Sequence, residues 1–220
     1  MSKTWAILPV KAFDRSKTRL SSVLSAAQCK KIARVMATDV LRALSTTSEI
    51  DRILIVGQGA EQQDIARRFG CEYENDEPTL DVSANLTRVA LLPRIQEAAR
   101  FILVPADMPQ LQSQDFARVL NDHIEGLTIC RATRDEGTNA YIATMPQPVE
   151  FSFGAGSARR HTFAAEAAGE KVRVLDDLAF ARDIDTPDDL RWLSRQDSAC
   201  DTARFLHDLE AHNDNLRRSA

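Results

Sequence analysis

Four basic residues crowd one short segment near the N-terminus: Lys11, Arg15, Lys17 and Arg19. They follow a hydrophobic run, Trp5-Ala-Ile-Leu-Pro-Val10. A loop of this kind at a strand end can hold a triphosphate by charge and through backbone N–H groups. It is neither a Walker loop nor a dinucleotide fingerprint, since both glycine patterns are missing from the chain. A solvated basic loop is the plain alternative. Asp107 stands in Pro105-Ala-Asp107-Met-Pro109, directly after Phe101-Ile-Leu-Val104. A carboxylate at the tip of a buried strand suits Mg²⁺, which takes one or two carboxylates plus substrate phosphates. The commoner role of a lone aspartate is to make a turn. Asp183-Ile-Asp185 supplies two more carboxylates, and their alternation puts both on one side. One of them can complete a metal site with Asp107. Helix capping is the alternative, but Thr186 already provides it and leaves Asp185 free for another role.

Between these acids lie Gly137-Thr138-Asn139-Ala140 and Phe153-Gly154-Ala155-Gly156-Ser157. Ser157 begins a helix, so its hydroxyl and the nearby amides are expected to form an anion site. Thr138 adds a hydroxyl and a backbone donor. Together these groups suit a small carboxylate or phosphate; an ordinary turn and N-cap is the alternative. His161 follows Ser157 by four residues and shares its helix face, and its expected role is structural. Neither a Ser-His-Asp triad nor a nucleophilic cysteine is recognisable.

These loops need a scaffold, and the hydrophobic pattern outlines one. Buried strands are predicted over residues 5–10, 52–56, 101–104, 127–130 and 140–144, with shorter ones at 71–73 and 172–174. Helices are predicted from about Ala26 to Leu44, opened by a Ser25/Gln28 capping box, and over Glu61–Phe69, with Gly70 as the C′ residue. Others start near Ser83, where Pro93 interrupts the later part, at a Ser113 cap, and at Ser157. Thr186-Pro187-Asp188-Asp189 is a further helix start. Strands alternate with helices and most are apolar on both faces. This predicts an α/β fold with a mostly parallel central sheet and helices on both faces. In such sheets ligands bind beyond the carboxyl ends of the strands, which is where the charged loops fall. Residues 1–193 make the domain. Residues 194–220 form a polar link and an amphipathic helix outlined by Phe205, Leu206, Leu209 and Leu216. That helix is expected to dock on the domain or on a second subunit, so a homodimer is compatible with it.

Composition narrows the class. A chain of 220 residues can bury a full core without disulfides or metal. Acidic residues outnumber basic ones, 32 to 28, which gives no electrostatic footprint for nucleic acid. Of the six lysines, five precede residue 32. Cys29, Cys71, Cys130 and Cys200 are far apart, as expected of reduced thiols rather than a zinc or disulfide framework. No apolar run approaches a membrane span, and residues 5–10 are too short for a signal-peptide core. The expected location is cytoplasmic. Glycine is scarce, eight in the chain, and three of the eight sit in the Thr138 and Ser157 segments.

Taken in order, Ile7-Leu-Pro-Val-Lys11, Ser16-Lys-Thr-Arg-Leu20, the Pro105–Pro109 run, Gly137–Ala140, Phe153–Ser157 and Asp183-Ile-Asp-Thr-Pro-Asp-Asp-Leu190 resemble the CofC/FbiD guanylyltransferases of deazaflavin coenzyme F-420 biosynthesis. The resemblance covers about residues 5 to 193. It implies a Rossmann-like nucleotidyltransferase fold, and a reaction of GTP with a phosphorylated three-carbon acid that releases pyrophosphate. Candidate acids are 2-phospholactate, phosphoenolpyruvate and 3-phosphoglycerate. By resemblance Thr138, Gly154 and Ser157 bind the acid, and Asp107 and Asp185 bind Mg²⁺. Pro9, Val10, Lys11, Lys17 and Asn85 match the nucleotide site, and Lys17, Asp107 and Asp185 the catalytic set. The family usually shows Gly-Leu-Asn where this chain has Ser83-Ala84-Asn85. The alternatives are a nucleotidyltransferase of the same fold acting on a sugar phosphate or molybdopterin, and a non-catalytic nucleotide-binding protein.

Overall fold

Seven strands form one sheet in the order β3-β2-β1-β4-β6-β5-β7. The structure, a computed structural model, describes residues 3–146 and 149–218, with side chains through residue 209 and at residue 211. Leu216 of the terminal amphipathic pattern therefore lies outside the described side chains. The strands are β1 (Thr4–Val10), β2 (Arg52–Gly57), β3 (Glu72–Asn75), β4 (Arg100–Leu103), β5 (Leu127–Arg131), β6 (Thr138–Thr144) and β7 (Val172–Leu175). β6 runs antiparallel to both of its neighbours, and the other pairs are parallel.

The helices are α1 (Ala26–Ser45), α2 (Ala60–Phe69), α3 (Val82–Ala90), α4 (Pro93–Gln96), α5 (Ser113–Asp122), α6 (Ser157–Ala167), α7 (Pro187–Leu193) and α8 (Asp201–Arg218). Local chemistry sets several of these boundaries. Ser25 and Gln28 exchange side-chain bonds with each other's backbone at the start of α1. Gly70 closes α2 in the left-handed region, at φ 64°. Pro93 lacks the N–H that would continue α3, so a separate short α4 begins there. At α5 the cap sits one residue before the expected Ser113: Gln112 holds the N-cap position, and its N–H donates to Asp115 at 3.0 Å.

β1 shows why the sheet is covered on both sides. Ala6, Leu8 and Val10 point into the core with residues of α1 and α5. Trp5 and Ile7 point into the opposite core with residues of α3 and α4. This is the period of two expected of an extended chain. Each fully buried aliphatic side chain contributes roughly 1.5–3 kcal/mol of transfer free energy, so β1 anchors both layers. A third cluster joins α1 to α7 and α8 through Ile32, Met36, Leu190, Ala203 and Leu206. Asp39 of α1 also accepts hydrogen bonds from the Thr202 backbone and hydroxyl at 2.9 and 2.7 Å. The terminal helix thus docks on the body of the chain. Among the described residues no helix is long and apolar enough to cross a membrane.

The strand order creates a switch point. From β1 the chain builds β2 and β3 to one side, then crosses back to add β4 on the other. The loops leaving β1 and β4 therefore diverge and open a crevice between them. Because β6 is antiparallel, with Leu103 opposite Tyr141, its first residues lie at the same edge as the end of β4. This is what carries Thr138 to the crevice.

Candidate active site

The crevice encloses about 690 Å³, within the size range of small-molecule sites. Its wall includes Pro9, Val10, Lys11, Lys17, Asn85, Asp107, Thr138, Gly154 and Asp185. Of the residues expected from sequence, Ser157 alone is not in the wall.

Three carboxylates meet at one end. Asp107, Asp183 and Asp185 each offer an oxygen, and these atoms lie within 4.8 Å of one another. The loop after β4 holds Asp107, and the Ile184 N–H donates to the Asp107 carbonyl at 2.9 Å. That bond docks the 183–185 segment against the loop. With Ile184 turned into the core, the flanking aspartates emerge on the Asp107 side. Asp107 Oδ1 is buried and has no hydrogen-bond partner among the described residues. Burial and the neighbouring Asp107 charge push the Asp183 carboxyl above its ordinary range, against the pull of Arg134. An orphaned buried oxygen inside a cluster of hard oxygen donors fits a divalent cation such as Mg²⁺. The set is larger by Asp183 than the Asp107 and Asp185 pair implied by the resemblance.

Lys17 reaches into this cluster. Its Nζ lies 2.6 Å from Asp107 Oδ2 and 3.1 Å from Asp185 Oδ1, with the side chain 8% exposed. Burial alone would lower its pKa, but the two carboxylates outweigh that and hold it above the ordinary lysine value. The same ion pairs, with Arg19 and Arg134, hold Asp185 below the ordinary range although burial opposes it. Lys17 adopts the left-handed conformation at φ 58° between two 3-10 turns, Phe13–Arg15 and Thr18–Ser22. That sharp change of direction turns its side chain back toward β4. Arg134 braces the far side, 2.9 Å from Asp183 and 2.9 Å from Asp189. Asp189 in turn receives the Asp185 and Thr186 N–H groups.

The opposite end is built differently from the sequence expectation. The first amides of α6 are already engaged: Gly156 N–H donates to Asp135 O, Ser157 N–H to Gly154 O and Ala158 N–H to Glu136 O. The 135–137 turn docks on the helix start, so these amides do not form an open anion site. Ser157 is fully buried behind Thr138, and its hydroxyl donates to Thr138 Oγ1 at 3.0 Å. Thr138 and Gly154 are the members that face the cleft. Gly154 and Gly156 hold φ values of 108° and 70°, a backbone course that side chains resist. Arg160 fastens this loop by donating to the carbonyls of Ser152, Phe153 and Ala155.

Asn85 has a less direct role than its type suggested. Its amide pairs with the Glu77 backbone, accepting from the N–H at 2.9 Å and donating to the carbonyl at 3.0 Å. It therefore shapes the Asp76–Pro78 loop, which itself lines the cleft. Two further residues of α3 tie into the site: Thr87, unmarked in the sequence, and Ser83, marked there as a departure from the resembled family. Ser83 accepts from the Phe153 N–H at 2.9 Å and Thr87 from the Phe151 N–H at 3.0 Å. They tie α3 to the loop that carries Gly154, across more than sixty residues. The only sequence signal for Ser83 is that it stands where the resembled family carries glycine.

An open α/β sheet with this strand order and an acid-lined crevice at its switch point is the architecture of the nucleotidyltransferases. A nucleotidyl transferase from Methanothermobacter thermautotrophicus superposes with a TM-score of 0.60, covering 87% of this chain and 95% of that one at 13% identity. A Desulfovibrio desulfuricans protein, provisionally described as a nucleotide-diphospho-sugar transferase, reaches 0.79 over 96% of each chain at 19% identity. At such identities the likeness shows the fold alone. The family is shown by sequence: the family model "Guanylyl transferase CofC like" matches residues 4–219. The chain belongs to this CofC-like guanylyl transferase family. It is 31% identical over 214 residues to the phosphoenolpyruvate guanylyltransferase of Conexibacter woesei, covering 94% of this chain and 96% of the relative. The 2-phospho-L-lactate guanylyltransferase of Methanothermobacter thermautotrophicus is 29% identical over 188 residues, covering 86% of this chain and 82% of its own. The 3-phospho-D-glycerate guanylyltransferase of Colwellia psychrerythraea is 29% identical over 203 residues, covering 87% and 91%.

Proposed function

We propose that this enzyme joins GTP to a phosphorylated three-carbon acid and releases pyrophosphate, as a step of deazaflavin coenzyme F-420 biosynthesis. The acid is phosphoenolpyruvate, 3-phosphoglycerate or 2-phospholactate. The observation that carries this reading is a two-ended cleft. One end gathers carboxylates and Lys17, and the other offers the Thr138 hydroxyl and the Gly154 backbone. Such a cleft can take a polyphosphate and a small anion side by side. The relatives named for guanylyl transfer to these acids support the choice of substrates.

A phosphate oxygen of the acid attacks the α-phosphorus of GTP, a new P–O–P bond forms, and the bond to the β-phosphate oxygen breaks. The pair of electrons leaves with pyrophosphate. A phosphate monoester is already mostly ionised near neutral pH, since its second pKa is about 6. No general base is required. The work of the protein is to align and neutralise two anions. Asp107, Asp183 and Asp185 would hold Mg²⁺, which supplies charge neutralisation at the phosphates. Lys17 adds a fixed positive charge beside the same acids. Lys11, with the Pro9–Val10 strand end, borders the nucleotide half. Asn85 serves the base through the loop it shapes. Thr138 orients the acid, and Ser157 supports Thr138 from behind. The four free cysteines suit a reducing, cytoplasmic setting.

The test is product formation with GTP, ATP and CTP, each paired with the three acids and with a sugar phosphate, in the presence of Mg²⁺. A guanosine-diphospho acid detected by mass spectrometry is expected. Transfer to the sugar phosphate alone would overturn the reading.

A further inference from the structure

His161 lies on α6, fully buried, and is not itself part of the cleft wall. Its two ring nitrogens nevertheless lead there. Nε2 lies 2.8 Å from the backbone nitrogen of Ser152, and Nδ1 lies 3.1 Å from Thr138 Oγ1. A backbone N–H is only a donor, so Nε2 must present its lone pair. A neutral imidazole then carries its single proton on Nδ1, and that proton points at the threonine oxygen. Edge-on rings of Tyr141, Phe151 and Phe153, with centroids 5.1 to 6.2 Å away, lock the imidazole in this orientation.

Thr138 Oγ1 has a second neighbour, Ser157 Oγ, at 3.0 Å. Ser157 is fully buried, and Thr138 is the one partner of its hydroxyl among the described residues. A buried hydroxyl that failed to donate would carry a desolvation penalty. The serine proton therefore also goes to Thr138. A hydroxyl has two acceptor positions and one donor, and both acceptor positions are now filled. The threonine proton has one direction left, into the cleft that Thr138 lines.

We propose that His161 is a positioning residue: with Ser157 it forces the Thr138 hydroxyl to donate into the cleft, making a fixed hydrogen-bond donor for the anionic group of the acid substrate. This rests on the proposed acid-binding role of that end of the cleft. Burial, reinforced by the positive charge of Arg160, holds the His161 pKa down at about 4. The ring is thus neutral at physiological pH, as the Ser152 bond requires.

The experiment has two arms. Long-range ¹⁵N–¹H NMR of the wild-type protein at neutral pH is expected to show His161 protonated on Nδ1 and bare on Nε2. The opposite tautomer, or an imidazolium, would overturn the proposal without reference to any substrate. In the second arm His161→Phe keeps the ring and removes both nitrogens. It should raise the KM for the acid about tenfold or more, the loss expected for one hydrogen bond to a charged group, and leave the KM for GTP within about twofold. His161→Asn places an amide N–H where Nδ1–H stood and should recover part of the acid KM. A merely packing role would rank the variants the other way, because asparagine fills less of the aromatic box. An unchanged acid KM in His161→Phe, or asparagine performing worse than phenylalanine, would contradict the proposal. If wild-type protein releases no pyrophosphate with any of the three acids, the functional reading fails instead. The NMR arm then still decides the direction of the hydrogen bonds. It also decides the matter if His161→Phe does not fold.

Discussion

Lys17 Nζ stands 2.6 Å from Asp107 Oδ2 and 3.1 Å from Asp185 Oδ1, so an ammonium sits among the carboxylates proposed to take Mg²⁺. The lysine and a divalent cation compete for the same oxygens. Replacing Lys17 with methionine keeps the length of the stem and leaves three carboxylates facing one another without that positive charge. Lys17→Met should bind Mn²⁺ alone more tightly than wild type, read by electron paramagnetic resonance titration. It should also lose guanylyl transfer by about a hundredfold or more, the scale expected when a fixed charge is withdrawn from a phosphoryl-transfer site. Weaker Mn²⁺ binding would contradict the competition.

Asp107→Asn keeps the shape and removes the charge from the carboxylate whose Oδ1 is buried without a hydrogen-bond partner among the described residues. The variant should stay folded by circular dichroism and lose at least about a hundredfold in turnover. Its Mn²⁺ affinity should fall, the reverse of Lys17→Met. Unimpaired turnover would remove Asp107 from the metal role.

Stability should depend on pH in a defined direction. Burial lowers both buried histidines from 6.5 to about 4, with Arg100 adding to the effect at His123 and Arg160 at His161. The unfolded chain takes up these protons near 6.5 and the folded chain near 4. Between those values the unfolded state binds more protons, so stability is complete above 6.5 and falls as the pH drops toward 4. Asp185 is lowered from 3.8, so its contribution is present above 3.8 and is lost at still lower pH. The Tm of wild type should fall between pH 7 and pH 4.5. His161→Phe, with one titrating group fewer, should show a shallower slope. Equal slopes would contradict the assignment.

Ser83→Ala removes the acceptor for the Phe153 N–H and frees the loop that presents Gly154. The KM for the acid should rise about two- to tenfold, the range for one neutral hydrogen bond. The KM for GTP should stay unchanged. Asn85→Ala loses both bonds to the Glu77 backbone and should show the opposite split, with the GTP KM rising. Steady-state kinetics with each substrate varied in turn separates the two.

Local chemistry made much of this molecule legible from its residues. The Ser25/Gln28 box, the Thr186 cap, the left-handed Gly70 and the Pro93 break are effects within four residues, and each stands where it was expected. The strand-end positions of Lys17 and Asp107 followed from the hydrophobic runs beside them. What stayed hidden depends on partners far along the chain. Nothing local marks β6 as antiparallel, because its direction is set by pairing with β4, about forty residues earlier. The α6 amides looked open until the 135–137 turn supplied carbonyls to them. Asn85 looked free to meet a base until Glu77 took both ends of its amide. Ser157 sits behind Thr138 because helix and strand meet there, and no spacing in the sequence encodes that depth.

The proposed reaction requires the two ends of the cleft to hold GTP and a phosphorylated three-carbon acid for transfer. Its most direct test is pyrophosphate release by the wild-type protein with GTP and Mg²⁺. Phosphoenolpyruvate, 3-phosphoglycerate and 2-phospholactate are compared side by side against a reaction without acid. Release is expected to require at least one of the three acids and to match the amount of guanosine-diphospho acid formed. Release that is absent with all three, or that proceeds equally without an acid, would contradict it.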